Sequence, residues 1–285
     1  MSSRPVLGII SSCLLAIESP SDFTPSFFYG ASIGGCLANS FAVSINQVAD
    51  VEIDKVNKPY LPLASGELSV RNGILLTVLY AILGLCLALY VHSWPMQLSL
   101  LIWYALATAY SVNLPLLRWK ATPVLTLMAI WSFRGVLFIP IMFYLHAQVY
   151  IFRRPLLLSK HAIFSSGLMS IFAVTIALFK DLSDVEGDIK NGIKTFASQL
   201  GLKRIFWICI SLLEMAFGIA ILIGLSSTSS WIKSVMVISH MILGYILWKN
   251  ASMVDLKRKK DFESFYMLIW KLLYVEYLLM PILRF

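Results

Sequence analysis

The chain alternates between long apolar runs and short polar segments. A helix that crosses a lipid bilayer needs about 20 mainly apolar residues. Eight apolar runs of the chain are about this long. One further run, residues 5–17, is shorter and stops at a group of acidic residues and prolines. The pattern predicts an all-helical integral membrane protein, a bundle of about nine transmembrane helices. The eight longer runs cover residues 27–45, 73–92, 96–114, 122–145, 161–179, 204–225, 231–249 and 265–283.

Composition agrees with a membrane protein. Charged residues make up 13% of the chain and the mean hydropathy is +0.79, whereas a soluble domain carries about 25% charged residues. The net charge is +8. Most Lys and Arg residues, however, lie in the segments after the second, fourth, sixth and eighth apolar runs, when residues 5–17 are counted as the first run. Such a bias sets the orientation of a membrane protein. We therefore interpret the charge as topological and expect no nucleic-acid partner.

The cysteines, the histidines and the first residues of the chain argue against a disulfide-rich protein, a zinc site and a transit peptide. The four cysteines lie singly in apolar runs, so no disulfide framework or redox motif is predicted. The four histidines are scattered, which disfavours a zinc site. Only the residues MSSR precede the first apolar run, too few for a transit peptide, so we expect none within this chain.

The first acidic segment is NQVADVEIDKVNKP, residues 46–59. Side chains four residues apart stack on one face of an α-helix. Asn46, Asp50 and Asp54 therefore form one polar stripe at a helix end, and Glu52 points roughly the other way. Carboxylates beside a bilayer are costly unless they are paired or bind a cation.

The second acidic segment is KDLSDVEGDIKNG, residues 180–192. Asp181, Asp184 and Asp188 share a face if the helix persists past Gly187. With residues 5–17 counted as the first run, the two segments follow the second and the sixth run. Both are therefore predicted on one side of the membrane, where they would repel each other without cations between them. One such segment alone could be a solvated loop, but two at helical spacing favour a binding site.

Mg²⁺ suits these segments, because it prefers oxygen ligands and is held by one or two carboxylates plus substrate phosphates. Lysines that flank the carboxylates could bind a diphosphate together with Mg²⁺. The flanking lysines are Lys55, Lys58, Lys180, Lys190 and Lys194.

Four further residues are candidate substrate contacts. Arg134 is a charge within an apolar run, and such residues are often functional, with a structural ion pair as the alternative. Arg118 and Lys120 lie at a run end on the side of the acidic segments, where they are either topological anchors or diphosphate contacts. Tyr110 either orients an acceptor or belongs to an interfacial aromatic belt.

These motifs resemble those of a known family. NQVADVEIDKVNKPYLPLASGE is similar to the NQxxDxxxD box of UbiA-type intramembrane aromatic prenyltransferases, and KDLSDVEGD is similar to their second aspartate box. YSVNLPLLRWK (110–120) and IALFKD (176–181) are similar to the plant plastid branch that includes homogentisate phytyltransferases. The resemblance extends from about residue 27 to residue 285.

The resemblance implies a single domain (1–285) with nine helices around a central cavity open to lipid. It implies transfer of a prenyl group from an isoprenyl diphosphate to an aromatic ring, with Mg²⁺ as the cofactor. Catalytic roles are then expected for Asp50, Asp54, Asp181 and Asp188. The implied metal ligands are Asn46, Asp50 and Asp54 in the first segment and Asp181, Asp184 and Asp188 in the second.

The expected substrates are a dimethylallyl or geranyl diphosphate and a plant phenol such as a coumarin or flavonoid, at a plastid membrane. The stretch ATPVLTLMAIWSFRGVLF, residues 121–138, departs from the phytyltransferase pattern and favours such a specialised acceptor. One alternative is a homogentisate phytyl or solanesyl transferase of tocopherol or plastoquinone synthesis. A transporter is an alternative of another class, because transporters also carry internal repeats and charges within the membrane.

Overall fold

The computed structural model describes residues 4–22, 25–132, 135, 141–190, 196–256 and 258–284. Within these ranges the chain forms helices, turns and loops, and no strand occurs among them. The α-helices are α1 (Arg4–Leu14), α2 (Pro25–Ala49), α3 (Val51–Asn57), α4 (Pro62–Ser65), α5 (Val70–Val91), α6 (Trp94–Ser111), α7 (Pro123–Ile130), α8 (Phe143–His146), α9 (Lys160–Lys190), α10 (Phe196–Leu200), α11 (Leu202–Leu225), α12 (Ser230–Met253) and α13 (Lys259–Leu279).

Most predicted apolar runs coincide with a long helix. In the described part of the chain, five helical segments are long and apolar enough to cross a bilayer. The all-helical, membrane-type prediction is confirmed to this extent, and the total of nine spans stays a prediction. The five segments are Val70–Val91, Lys160–Lys180, Leu202–Leu225, Ser230–Met253 and Lys260–Ile282.

The run 122–145, in which Pro123 and Pro140 predict a kink, does not form one continuous α-helix. Helix α7 ends at Ile130, and the next two residues adopt the wider π-helical geometry. Residues 135 and 141–142 before α8, and Ala147–Ile151 after it, are also π-helical. Pro123 fits at the first turn of α7, where its missing N–H costs nothing, and Pro140 lies outside the described residues.

The chain folds as two compact units. Unit 1 comprises residues 1–120 and 137–158, and unit 2 comprises residues 121–136 and 159–285. In unit 1, α2 packs against α1, α5 and α6. The Trp103 Nε1–H on α6 donates to the Ala38 carbonyl on α2 at 2.7 Å, and the rings of Phe41 and Tyr104 lie 4.4 Å apart. These contacts hold the middle of α2, which leads into the first acidic segment.

Arg154 fastens the chain after α8 to the end of α1 in unit 1. Its guanidinium bonds Asp22 Oδ2 at 2.7 Å and the Ala16 carbonyl at 2.5 Å, and it lies 3.3 Å from a Glu18 carboxylate oxygen. Asp22 in turn accepts the backbone N–H groups of Glu18 and Ser19. The Arg154 side chain therefore contacts three acceptors in a single loop.

Removal of this contact should destabilise the protein. We expect Arg154→Ala to cost about 1–3 kcal/mol of unfolding free energy, because the partly buried acceptors lose their donor. Arg153→Ala removes an exposed neighbouring charge and should cost less than about 0.5 kcal/mol. Thermal unfolding in detergent micelles measures both. An equal loss of Tm in the two variants would show that charge, and not the contacts, stabilises this loop.

In unit 2, aromatic side chains position the part of α9 that leads into the second acidic segment. Phe179 is fully buried, and its ring lies within 6 Å of the rings of Phe206 on α11 and of Phe262 and Phe265 on α13. Buried aromatic pairs stabilise by about 0.5–1.5 kcal/mol beyond their burial. The cluster therefore fixes the backbone two residues before Asp181.

Candidate metal and diphosphate site

The backbone of the first acidic segment preserves a four-residue repeat across a helix break. Helix α2 ends at Ala49, and Asp50 has a non-helical φ of −115°. Even so, the Asp50 N–H donates to the Asn46 carbonyl at 3.1 Å, and the Asp54 N–H donates to the Asp50 carbonyl at 2.8 Å. The Lys58 N–H continues the series to the Asp54 carbonyl, also at 2.8 Å. The four residues thus follow one another along a single face.

The two carboxylates on this face are buried, and the opposite face is exposed. Asp50 and Asp54 are 9% and 7% exposed. The Glu52 side chain is 82% exposed and pairs with Lys55 at 2.7 Å. The structure therefore places Lys55 on the face away from the two buried carboxylates, whereas the sequence analysis grouped it with the diphosphate-binding lysines.

The Asp50 carboxylate contacts two other polar side chains. Its Oδ2 accepts the Asn46 amide at 3.2 Å and the ammonium of Lys120. The Asn46 amide also lies 3.5 Å from the hydroxyl of Ser111, at the end of α6. Asp50 Oδ1 is buried and has no hydrogen-bond partner in the described part of the chain. An orphaned carboxylate oxygen of this kind is a suitable ligand for a cation.

The other predicted substrate contacts in unit 1 lie near this stripe or at its edge. Lys58 is exposed at the end of α3 and acts on Asp54 through its charge. Arg118 is half-buried in the loop that carries Lys120 and has a φ of +60°. Tyr110 is half-buried on α6, directly before Ser111.

The second acidic segment continues α9 without a break. The helix runs from Lys160 to Lys190, so it persists through Gly187. Lys180 is exposed in unit 2. By helical periodicity the three aspartates fall on one face of this helix. The remaining candidates lie outside the description: the side chains of Asp181, Asp184, Asp188 and Lys190, and the whole of Arg134 and Lys194.

The described residues can supply some of the ligands of a Mg²⁺ ion. No three His, Cys, Asp or Glu side chains gather at a metal site in the part of the chain searched. Asp50 and Asp54 nevertheless supply two buried carboxylates, and Asn46 supplies an amide oxygen if its side chain turns over. Because Mg²⁺ typically takes its other ligands from water and substrate phosphates, two carboxylates are sufficient.

Burial raises the pKa of Asp54 above that of an ordinary aspartate, and the Asp50 charge raises it further. The positive charges of Lys58 and Lys120 oppose this shift. A proton on Asp54 competes with a cation for the same oxygens.

We therefore expect the Mg²⁺ concentration for half-maximal activity to increase as the pH falls. The increase should begin at a higher pH than for an ordinary carboxyl and approach about tenfold per pH unit for competition by one proton. Mg²⁺ titrations at several pH values measure it, with kcat at saturating Mg²⁺ as the control. A constant half-saturation value down to pH 4 would contradict the role of Asp54 as a metal ligand.

The fold and the site together define an all-helical membrane protein with a buried acidic stripe and a lysine directed at it. The model of the UbiA prenyltransferase family matches residues 6–272. The chain therefore belongs to the UbiA prenyltransferase family, which confirms the resemblance found in the two acidic segments.

Two relatives and one solved structure are similar over nearly the whole chain. Homogentisate phytyltransferase 1 of Arabidopsis thaliana is 48% identical over 98% of this chain and 72% of its own length. Naringenin 8-dimethylallyltransferase 2 of Sophora flavescens is 45% identical over 98% of this chain and 69% of its own length. A UbiA homolog from Archaeoglobus fulgidus bound to GPP and Mg²⁺ has a TM-score of 0.61 at 17% identity, over 98% of each chain. That last likeness shows the fold.

Sequence reasoning missed two polar contacts. Ser111 was not identified, because a serine at the end of an apolar run carries no distinctive signal. The buried pair His240 and Glu276, 3.3 Å apart between α12 and α13, was also missed. Glu276 could have been noticed as a carboxylate within an apolar run, which is usually functional or paired.

Proposed function

We propose that this protein transfers an isoprenyl group from its diphosphate to an electron-rich ring carbon of a plant phenol, with Mg²⁺. The observation that carries the proposal is the stripe formed by Asn46 and the buried carboxylates of Asp50 and Asp54, with Lys120 in contact with Asp50. Membership of the UbiA prenyltransferase family supports the same reaction.

The reaction breaks the bond between the allylic carbon and the diphosphate oxygen, and the diphosphate leaves with the electron pair. When bound, Mg²⁺ would neutralise the charge that develops on the leaving group. Asp50 and Asp54 would hold the metal, and the Lys120 and Lys58 ammonium groups would stabilise the diphosphate. The ring carbon then bonds to the allylic carbon, and loss of the ring proton restores aromaticity.

The remaining metal and substrate contacts are assigned on the sequence pattern. We assign Asp181, Asp184 and Asp188 as further metal ligands, and Lys180, Lys190 and Lys194 as diphosphate contacts. The apolar prenyl tail should enter a cavity that opens to the bilayer, within one functional domain. The relatives from plants are described as chloroplastic, which supports a plastid membrane as the location.

The proposed acceptor is a flavonoid or coumarin, and the proposed donor is dimethylallyl or geranyl diphosphate. The naringenin dimethylallyltransferase at 45% identity supports this choice. A second candidate is homogentisate with a phytyl donor, favoured by the homogentisate phytyltransferase at 48% identity. Two relatives of nearly equal identity use acceptors of different chemistry, so the choice requires an assay.

A single panel assay separates these functions. Membranes that contain the protein are incubated with naringenin, a coumarin or homogentisate, each with dimethylallyl, geranyl or phytyl diphosphate and Mg²⁺. We expect prenylated flavonoid or coumarin together with an equal amount of released diphosphate. Product only from homogentisate and phytyl diphosphate would establish the second candidate. No diphosphate release from any pair would overturn the transferase proposal and favour the transporter alternative.

A further inference from the structure

A groove along the first half of α11, in unit 2, takes no part in the proposed reaction. Its volume is about 960 Å³, and ligand sites typically measure about 300–1,000 Å³. Its lining begins at Leu200 and continues along the helix to Met215. The helical part, from Lys203 to Met215, is about 18 Å long, because an α-helix rises by about 1.5 Å per residue. The groove is therefore long enough to hold an extended chain.

The lining is positively charged at one end and mainly apolar along the rest. Lys203 and Arg204 lie in the first turn of α11, and both are exposed. No acidic residue of the described part of the chain lines the groove. Beyond the two cations, Ile208 and Met215 present apolar side chains that are 41% and 51% exposed. One continuous surface thus combines an end that attracts anions with an apolar channel.

The position of the groove along α11 matches one leaflet of a bilayer. Helix α11 is long and apolar enough to cross a membrane, so its exposed face meets lipid. Trp207 lies one turn beyond the two cations and packs 5.8 Å from the Trp248 ring on α12, as expected of aromatic residues at the membrane boundary. The hydrocarbon core is about 30 Å thick, so one leaflet is about 15 Å. The channel therefore extends from the boundary to about the middle of the bilayer.

We propose that this groove binds one anionic membrane lipid, with the headgroup phosphate at Lys203 and Arg204 and an acyl chain along α11. Basic pockets at the polar ends of transmembrane helices are typical sites for anionic lipid headgroups. A zwitterionic lipid brings its own cation, which opposes the attraction of the two side chains. A lipid fits better than a free phosphate, because its chain also covers the apolar part of the lining.

The experiment titrates the purified full chain, in a non-ionic detergent, with dioleoyl-phosphatidylglycerol or dioleoyl-phosphatidylcholine. Native mass spectrometry measures the affinity for the first bound lipid. The test variant combines Lys203→Gln with Arg204→Gln. The matched control combines Arg71→Gln with Lys260→Gln, which removes the same charge from exposed positions in the first turns of α5 and α13.

A second pair of variants tests the apolar channel. Ser211→Phe places a large ring at a small, exposed position in the lining. Ile219→Phe is its control, since Ile219 lies about two turns further along the same face, is 40% exposed and is outside the groove. Thermal unfolding in lipid-free detergent shows whether each variant is folded.

We expect the unmodified protein to bind phosphatidylglycerol at least about tenfold more tightly than phosphatidylcholine. Loss of Lys203 and Arg204 should remove at least about tenfold of the phosphatidylglycerol affinity, because each cation near an anionic lipid contributes about fivefold. The charge-matched control should change this affinity by less than about threefold. Ser211→Phe should weaken it by at least about fivefold, as expected when a ring occupies the space of a buried chain, and Ile219→Phe should leave it unchanged.

Equal affinity of the unmodified protein for the two lipids would overturn the proposal, and this comparison needs no variant. Equal losses in the two charge variants, or unchanged phosphatidylglycerol binding in Ser211→Phe, would also overturn it. The same spectra report the oligomeric state, so a dimer that dissociates in Ser211→Phe without a change in lipid binding would assign the groove to a second copy of the chain.

A kinetic measurement separates the lipid from the prenyl donor, which also carries phosphate groups. We expect the variant without Lys203 and Arg204 to retain the KM for prenyl diphosphate within about threefold, in line with exposed charges. A raised KM together with unchanged phosphatidylglycerol binding would assign the two cations to the donor and overturn the lipid site. The proposed function stands in either case, because it does not depend on this groove.

Discussion

Asp50→Asn should lower the rate of prenyl transfer by at least about 100-fold, comparable to the loss of one preorganised electrostatic stabiliser. The substitution keeps the shape of the side chain and removes its charge. Asp50 Oδ1 is buried without a hydrogen-bond partner among the described residues, and we assign it to the metal. A neutral amide holds a divalent cation more weakly, so the leaving diphosphate loses its neutralising charge.

The same chain offers a matched control two residues away. Glu52 carries the same charge in the same segment, but its side chain is 82% exposed and pairs with Lys55. Glu52→Gln should change turnover by less than about tenfold, since exposed ion pairs contribute little. Turnover is measured at equal amounts of protein in the membrane. Equal losses in the two variants would show that overall charge, and not the buried face, supports the reaction.

Removal of divalent cations should abolish product formation. With excess EDTA we expect less than about 1% of the rate with Mg²⁺, because diphosphate departure depends on metal-assisted charge neutralisation. Addition of Mg²⁺ beyond the chelator should restore the rate, and Mn²⁺ should restore part of it, because both accept oxygen ligands.

The control for the chelator experiment is EDTA saturated with Mg²⁺ before it is added, which should leave the rate unaffected. Full product formation in excess EDTA would contradict a mechanism based on metal-bound diphosphate. The lysines would then carry the whole charge of the leaving group. Diphosphate release and prenylated product are measured in the same sample, so that hydrolysis of the donor is not mistaken for transfer.

The local parts of the site could be predicted from the sequence. The spacing of Asn46, Asp50 and Asp54 determines a shared face wherever the backbone is helical, and the face survives the break at Asp50 because the i to i+4 hydrogen bonds continue through it. The orientation of Glu52 follows from the same periodicity. Helix bounds were predictable to within a few residues where apolar runs are long, as in α5, α11 and α12.

Contacts between distant segments could not be predicted. Lys120 was a candidate because it ends an apolar run, but its partner Asp50 lies 70 residues earlier, and a hydropathy pattern carries no information about such pairing. The prolines of the run 122–145 predict a kink, but the π-helical geometry of the run was not predicted. A π-helical turn needs only a change in hydrogen-bond register, which leaves the apolar pattern of the run unaltered.

The exposure of helix α5 affects how the residues that determine substrate preference should be sought among related enzymes. Only 17% of its apolar window is buried within the protein, and side chains such as Leu75, Val78 and Ile82 are about half exposed. On such a surface lipid accepts one apolar side chain as readily as another, so substitutions there should accumulate by drift. Differences at the exposed positions of α5 between a flavonoid enzyme and a homogentisate enzyme should therefore be disregarded when residues that select the acceptor are sought.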